Sequence, residues 1–188
     1  MRVFGLGNPG EKYAGPRHNV GAEVVAELAR RQSAALKPSK EQALVAEVRI
    51  NQQRVALAFP QTFMNESGQA VQKLVRRYGI EEPQKIVVIH DELDLPVGSL
   101  KVKSGGGLAG HNGLKSITAH LHTQDYLRVS IGIGRPPGRQ SASDHVLRRP
   151  GKAEGQELAT IILEAADAVE LILDQGVDVA MGRINTRS

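Results

Sequence analysis

Arg2-Val3-Phe4-Gly5-Leu6-Gly7-Asn8-Pro9-Gly10, running on through Tyr13 to Gly15-Pro16-Arg17-His18-Asn19, decides the class of the fold. Residues 2 to 6 are short, apolar and closed off by Gly7-Asn8-Pro9-Gly10, which predicts a buried strand ending in a tight turn. Gly15-Pro16 keeps a helix from starting straight after that turn. The first helix is therefore expected near Asn19, with Val20, Val24, Leu28 and Ala35 on its core face, and should end before Lys37-Pro38. His18 or Asn19 then stands at its N-terminus. A strand, a glycine-rich turn, a lone amide and a histidine before a helix is how an α/β protein presents chemistry at a strand end.

Outward from this stretch, residues 43 to 50 and 54 to 59 predict a hairpin turned by Asn51-Gln52-Gln53. Pro60 to Asn65 is a loop, with Asn65 or Ser67 available to cap a helix whose face carries Val71, Leu74, Val75 and Tyr78. Gly79 ends that helix where a left-handed residue is wanted. Ile86-Val87-Val88-Ile89 is a fully apolar, central-type strand that delivers His90-Asp91-Glu92 at its C-terminal end. Further strands are expected over 98–103 and 126–134. Between them a glycine-rich run, 104–110, leads through His111-Asn112-Gly113 into a helix bearing Leu114, Ile117 and Leu121. Pro136 to Pro150 reads as a mobile surface loop, and 152–174 as a last helix with a stripe of Leu158, Ile161, Ile162, Ala165, Val169 and Ile172. With no repeat and no internal boundary, residues 1–188 are expected to form one α/β domain, a mixed twisted sheet flanked by helices.

Composition narrows the function. There is no cysteine, so disulfides, thiolate zinc sites and cysteine nucleophiles are excluded. No apolar stretch approaches a membrane span and no signal-peptide layout opens the chain, so a soluble, cytoplasmic protein is expected. Charge is uneven: 97–152 holds nine Lys or Arg against Asp125 and Asp144, while the rest of the chain is net acidic. Such a field suits a polyanion, nucleic acid above all, with an ordinary solvated face as the lesser alternative. Only six Phe and Tyr and no Trp are present, which favours backbone or end recognition over base-stacking platforms.

His18 and Asp91 are the candidate chemical pair. A carboxylate that accepts from one imidazole nitrogen fixes the tautomer and leaves the other nitrogen free to take a proton. A capping or packed histidine and a surface carboxylate are the simpler alternatives. His90, next along the strand, should face the other way and serve structure. Asn8, Asn65 and Asn112 each stand in a loop at an element end, where an amide can hold a peptide group or steady an oxyanion, or merely shape a turn. Gly5, Gly7 and Gly10 match G-x-G-x-x-G, but the third glycine opens no helix, so a dinucleotide site is set aside. Ser67 lies outside any G-x-S-x-G elbow. His111, His120 and His122 lack carboxylates at metal spacing, and no metal is predicted.

Together these stretches resemble the bacterial-type peptidyl-tRNA hydrolases over nearly the full length. The resemblance rests on Gly5 to Gly10 with Tyr13 and Arg17-His18-Asn19, on Pro60 to Gly68, on His90-Asp91-Glu92-Leu93-Asp94, and on Gly105 to Lys115. It implies a usually monomeric α/β enzyme that cleaves the ester between a peptide and the 3′ end of tRNA without metal or cofactor. It further implies that His18 is the general base and that Asp91 stabilises and orients it. Asn8 would discriminate peptidyl from free aminoacyl ends, and Asn65 and Asn112 would bind substrate and stabilise the oxyanion. Tyr13, Phe63 and Met64 would line the pocket. Lys103 would face the phosphates of the acceptor end, with Lys101, Lys115 and Arg128 nearby. One departure is Ser130, where many relatives place an arginine; either Arg128 or Arg135 compensates, or tRNA binding is weaker and less salt-dependent. The competing functions are a non-catalytic RNA-binding module and a small-molecule esterase or amidase with an incidental basic surface.

Overall fold

The computed structural model describes residues 1–10, 16–79, 82–136, 138 and 141–186. One seven-stranded mixed sheet carries the molecule: β1 (Arg2–Gly5), β2 (Lys37–Pro38), β3 (Ala43–Ile50), β4 (Gln53–Pro60), β5 (Ile86–Glu92), β6 (Leu100–Ser104) and β7 (Leu127–Gly132). Its spatial order is β2-β3-β4-β1-β5-β7-β6. The four central strands are parallel, and β2, β3 and β6 extend the edges antiparallel. Every residue of β5 and β7 is buried, as expected of central strands covered on both faces.

The helices divide between the faces. α1 (Val20–Arg31), α5 (Lys152–Gln175) and α6 (Val177–Ile184) enclose a core with Val3, Leu57, Val87, Ile89, Val129 and Ile131. α2 (Ser67–Tyr78) and α3 (Asn112–Leu121) enclose the other, around Phe4, Leu6, Val88, Met64 and Tyr126. A short α4 (Ala142–Leu147) precedes α5. Each fully buried Leu, Ile or Val in these two cores contributes about 1.5–3 kcal/mol of transfer free energy, enough to make the alternation of apolar positions decisive.

One contact matters most for function. A Cβ on Gly5 would lie 2.1 Å from the Gly21 carbonyl oxygen, and one on Gly21 would lie 2.2 Å from that of Ile89. Two glycines thus let the start of α1 press directly onto the ends of β1 and β5, and the Ala22 N–H donates to the Leu6 carbonyl at 3.0 Å. His18, three residues before Gly21, is carried by this contact to Asp91, two residues beyond Ile89.

Several expectations need correction. α1 stops at Arg31 and Ser33 turns with φ 54°, so Ala35 is exposed and Ala34 and Leu36 pack in its place. Lys37-Pro38 is a two-residue edge strand. Neither Asn65 nor Ser67 caps α2: the Ser67 hydroxyl donates back to the Met64 carbonyl at 2.7 Å. Residues 142–147, expected in a loop, are helical, and the segment ends in two helices where one was expected. The hairpin, the αL conformation of Gly79 and the strand through Asp91 agree with the sequence reading.

Candidate active site

Asp91 sits at the C-terminal end of β5 with both carboxylate oxygens occupied. Oδ2 lies 2.7 Å from His18 Nδ1, and Oδ1 lies 2.7 Å from His111 Nε2. All three side chains are buried or nearly so. The two imidazoles, whose centroids are 5.1 Å apart, differ in what their second nitrogens do. His111 Nδ1 accepts from the Gly113 and Leu114 N–H groups at 3.0 and 3.3 Å, capping α3. It therefore holds no proton, and His111 is a neutral imidazole donating through Nε2. Asp91 is left with one full charge to accept from His18 Nδ1–H, which leaves His18 Nε2 as the unprotonated, basic nitrogen.

The electrostatics follow from this arrangement. Burial opposes ionisation of Asp91, yet His18, by charge and hydrogen bond, together with the hydrogen bond from His111, holds it well below the usual carboxylate range. Burial also opposes charging of His18, but the Asp91 carboxylate outweighs it and raises the His18 pKa above its ordinary value. His90 faces away and stays neutral: burial above all pushes it down to about 3. Its Nδ1 meets the Asp91 carbonyl at 2.7 Å, its Nε2 meets the Ser130 hydroxyl at 3.0 Å, and its ring packs edge-on against His111.

Asn8 is held as tightly. Its N–H and C=O are bridged by the Asn19 side chain at 3.1 and 2.9 Å, and its Oδ1 accepts the Met64 N–H at 2.7 Å. This fixes the amide so that Nδ2, which makes no hydrogen bond among the described residues, is the group presented outward as a donor. Asn112, the first residue of α3, is exposed and lines a small pocket of about 90 Å³ with His18, Asp91, His111 and, from α4, Ala142, Ser143 and Val146. His18, Asp91 and His111 offer ligand atoms within 4.8 Å of one another, a spacing a metal could use. In this arrangement, however, the facing nitrogens carry the protons given to Asp91, so the donor set is already spent on itself.

A family model for peptidyl-tRNA hydrolase matches residues 2–188. The chain belongs to the peptidyl-tRNA hydrolase family. It is 50% identical to the peptidyl-tRNA hydrolase of Pseudarthrobacter chlorophenolicus, covering 97% of this chain and 94% of that one. Against that of Frankia alni it is 49% identical over 96% of this chain and 91% of the relative. The crystal structure of peptidyl-tRNA hydrolase from Acinetobacter baumannii superposes with a TM-score of 0.92 at 38% identity, covering 98% and 94% of the two chains.

Within this peptidyl-tRNA hydrolase fold the expected site residues separate into groups. His18, Asp91 and Asn112 converge on one pocket, with Asn8 anchored beside Met64. Met64 itself is 4% exposed and belongs to the core, whereas Phe63 is 54% exposed and Asn65 is exposed beside it. Tyr13 lies outside the described residues. Lys101 and Lys103 lie on edge strand β6 opposite Ser130 and Arg128, with Lys101 exposed and Lys103 half-buried; Lys115 is exposed on α3.

Arg128 corrects the expectation of a phosphate contact. It is 1% exposed, stacks over Tyr126, and gives its terminal N–H groups to the carbonyls of Gly106, Gly107 and Gln124. It cannot reach a phosphate without abandoning them. Ser130 is buried on His90, and Arg135 is paired with Asp94, so only Arg135 of the two expected substitutes reaches the surface. Sequence reasoning missed His111 and Asn19. Their one sequence signal is position: each precedes a helix by a single residue, where side chains meet backbone ends.

Proposed function

We propose that the protein hydrolyses the ester linking a peptide to the 3′ end of tRNA, with His18 as general base. The observation that carries this reading is the pairing of His18 Nδ1 with a buried Asp91 whose other oxygen is taken by a neutral histidine. His18 Nε2 removes a proton from water, and the water oxygen attacks the ester carbonyl. The resulting oxyanion lies by Asn112, where the side-chain amide and the positive end of α3 favour negative charge. Collapse breaks the bond to the ribose 3′ oxygen, which takes the proton back from His18. The products are a peptide acid and tRNA with a free 3′ hydroxyl.

Asn8 supports selectivity in the same reading. Its outward Nδ2–H can donate to the carbonyl acylating the substrate amine, a group that free aminoacyl-tRNA lacks. Exposed Phe63 and Asn65 provide contact for the substrate end, and Lys101, Lys103 and Lys115 provide charge for the phosphates. In hydrolysis assays, wild-type protein should cleave N-acetyl-aminoacyl-tRNA and spare free aminoacyl-tRNA, and Asn8→Ala should shrink that preference roughly ten- to a hundredfold, the worth of one lost hydrogen bond to a buried partner. Protein that binds both substrates and cleaves neither would replace the esterase with an RNA-binding module.

A further inference from the structure

At the other edge of the sheet, where the parallel strands begin, a hollow of about 500 Å³ is lined by Arg2, Glu47, Val48, Arg49, Arg54, Val55, Ala56 and Tyr78. Its size is that of small-molecule sites, roughly 300–1,000 Å³. Arg2 starts β1, which delivers Asn8 to the active site beyond its far end, so the hollow and the catalytic pocket are separate.

The charges there are not resolved internally. Arg49 and Arg54 stand directly opposite each other across the β3–β4 ladder, a like-charge arrangement that costs stability. Among the described residues neither has a carboxylate within ion-pair distance. Among the described residues the Arg49 side chain hydrogen-bonds only to the Gln52 carbonyl, at 3.5 Å, and the Arg54 side chain makes no hydrogen bond. Arg2 lies 3.9 Å over the Tyr78 ring, gives one N–H to the Met1 carbonyl, and keeps a buried Nε without a partner. The acid in the hollow, Glu47, is engaged by the Tyr78 hydroxyl and approached by Arg77 at 3.7 Å. Three guanidinium forks thus face one concavity with donors to spare, and the planar fork is the group that matches a phosphate with two hydrogen bonds at once.

We infer that this hollow is a binding site for a phosphate ester of nucleotide size, held by Arg2, Arg49 and Arg54 and distinct from the hydrolytic centre. The phosphate could be supplied by a free nucleotide or by an RNA backbone, and the test separates them. Amide NMR spectra of the full chain would be titrated with inorganic phosphate, adenosine 5′-monophosphate and deacylated tRNA. The monophosphate should move the amides of Arg49, Arg54, Val55 and Tyr78 saturably below about 10 mM and leave those of His18 and Asn112 in place. Arg49→Gln with Arg54→Gln should weaken that binding about tenfold or more, and its melting temperature should not fall, because the repulsion across the ladder is relieved. If tRNA moves the same amides and loses affinity in the double variant, the phosphate belongs to an RNA backbone; if tRNA leaves them unmoved, it belongs to a free nucleotide. No saturable shift at these amides with any of the three probes, or equal affinity in the double variant, would overturn the site.

Discussion

At the scale of single residues, one carboxylate holds two histidines and makes them unlike. His111 is fixed neutral by the helix end it caps, and His18 Nε2 makes no hydrogen bond among the described residues. Removing His111 leaves one oxygen of a buried anion unsatisfied and uncaps α3, which costs about 1–3 kcal/mol for the lost partner and about 1 kcal/mol for the cap. His111→Ala should therefore melt several degrees lower and turn over at least tenfold more slowly; unchanged turnover would show that Asp91 needs no second imidazole. The linkage signs are opposite for the pair. His18, raised, stabilises the fold fully below its unfolded value near 6.5 and loses that contribution as pH climbs through its folded value. Asp91, depressed, contributes above 3.8 and loses its share as pH falls through its folded value. His18 and Asp91 were legible because a strand end and a helix start are local patterns. His111 was not, because its link to Asp91 spans 20 residues and exists only after α3 docks.

At the scale of elements, the segment bearing His18 is strapped to the C-terminal part of the chain. Arg17, next to His18, makes a two-pronged ion pair with Glu154 of α5 at 2.6 and 3.0 Å and donates to the His145 and Arg148 carbonyls at 3.1 and 3.2 Å. This one side chain thereby sets where α4 lies, and α4 supplies Ala142, Ser143 and Val146 to the pocket. Glu154→Gln would break the pair beside a 9% exposed guanidinium side chain, a loss of about 1–3 kcal/mol. We expect a melting temperature several degrees lower and a KM raised more than kcat is lowered, since α4 lines the pocket while the Asp91 oxygens are held by His18 and His111. An unmoved melting temperature would show the strap to be idle. This layer was poorly legible: 136–150 is written in Pro, Gly, Ser and Arg, so its composition signals loop, while α4 owes its place to Arg17 and to the buried His145. The α5 stripe, by contrast, runs long enough for its 3.6-residue period to be unambiguous.

Across the whole molecule, the charge pattern and the fold agree. The long α5, with six acids and no base between Ala153 and Asp174, packs on the α1 face. Lys101 and Lys103 project with Arg128 and Ser130 on the opposite face of β6 and β7, because Val102, between the two lysines, belongs to the α1-side core. The net charge of 97–152, read along the chain, does not separate a lysine on an edge strand from an arginine folded under its own glycine loop. Counting charge along a chain is blind to burial, which is why Arg128 was misplaced while the strands around it were legible as strands. Among the described residues no helix is long and apolar enough to cross a membrane.

The most direct test of the central claim is the pH dependence of kcat/KM for N-acetyl-aminoacyl-tRNA in wild type and Asp91→Asn. Wild-type activity should rise with pH through a midpoint above 6.5, where raised His18 loses its proton and becomes a base. Asp91→Asn should lower the plateau by roughly 10³ to 10⁴-fold and move the midpoint down, since the charge that orients and raises His18 is gone. Equal plateaus, or a midpoint that ignores the substitution, would contradict a base held by Asp91.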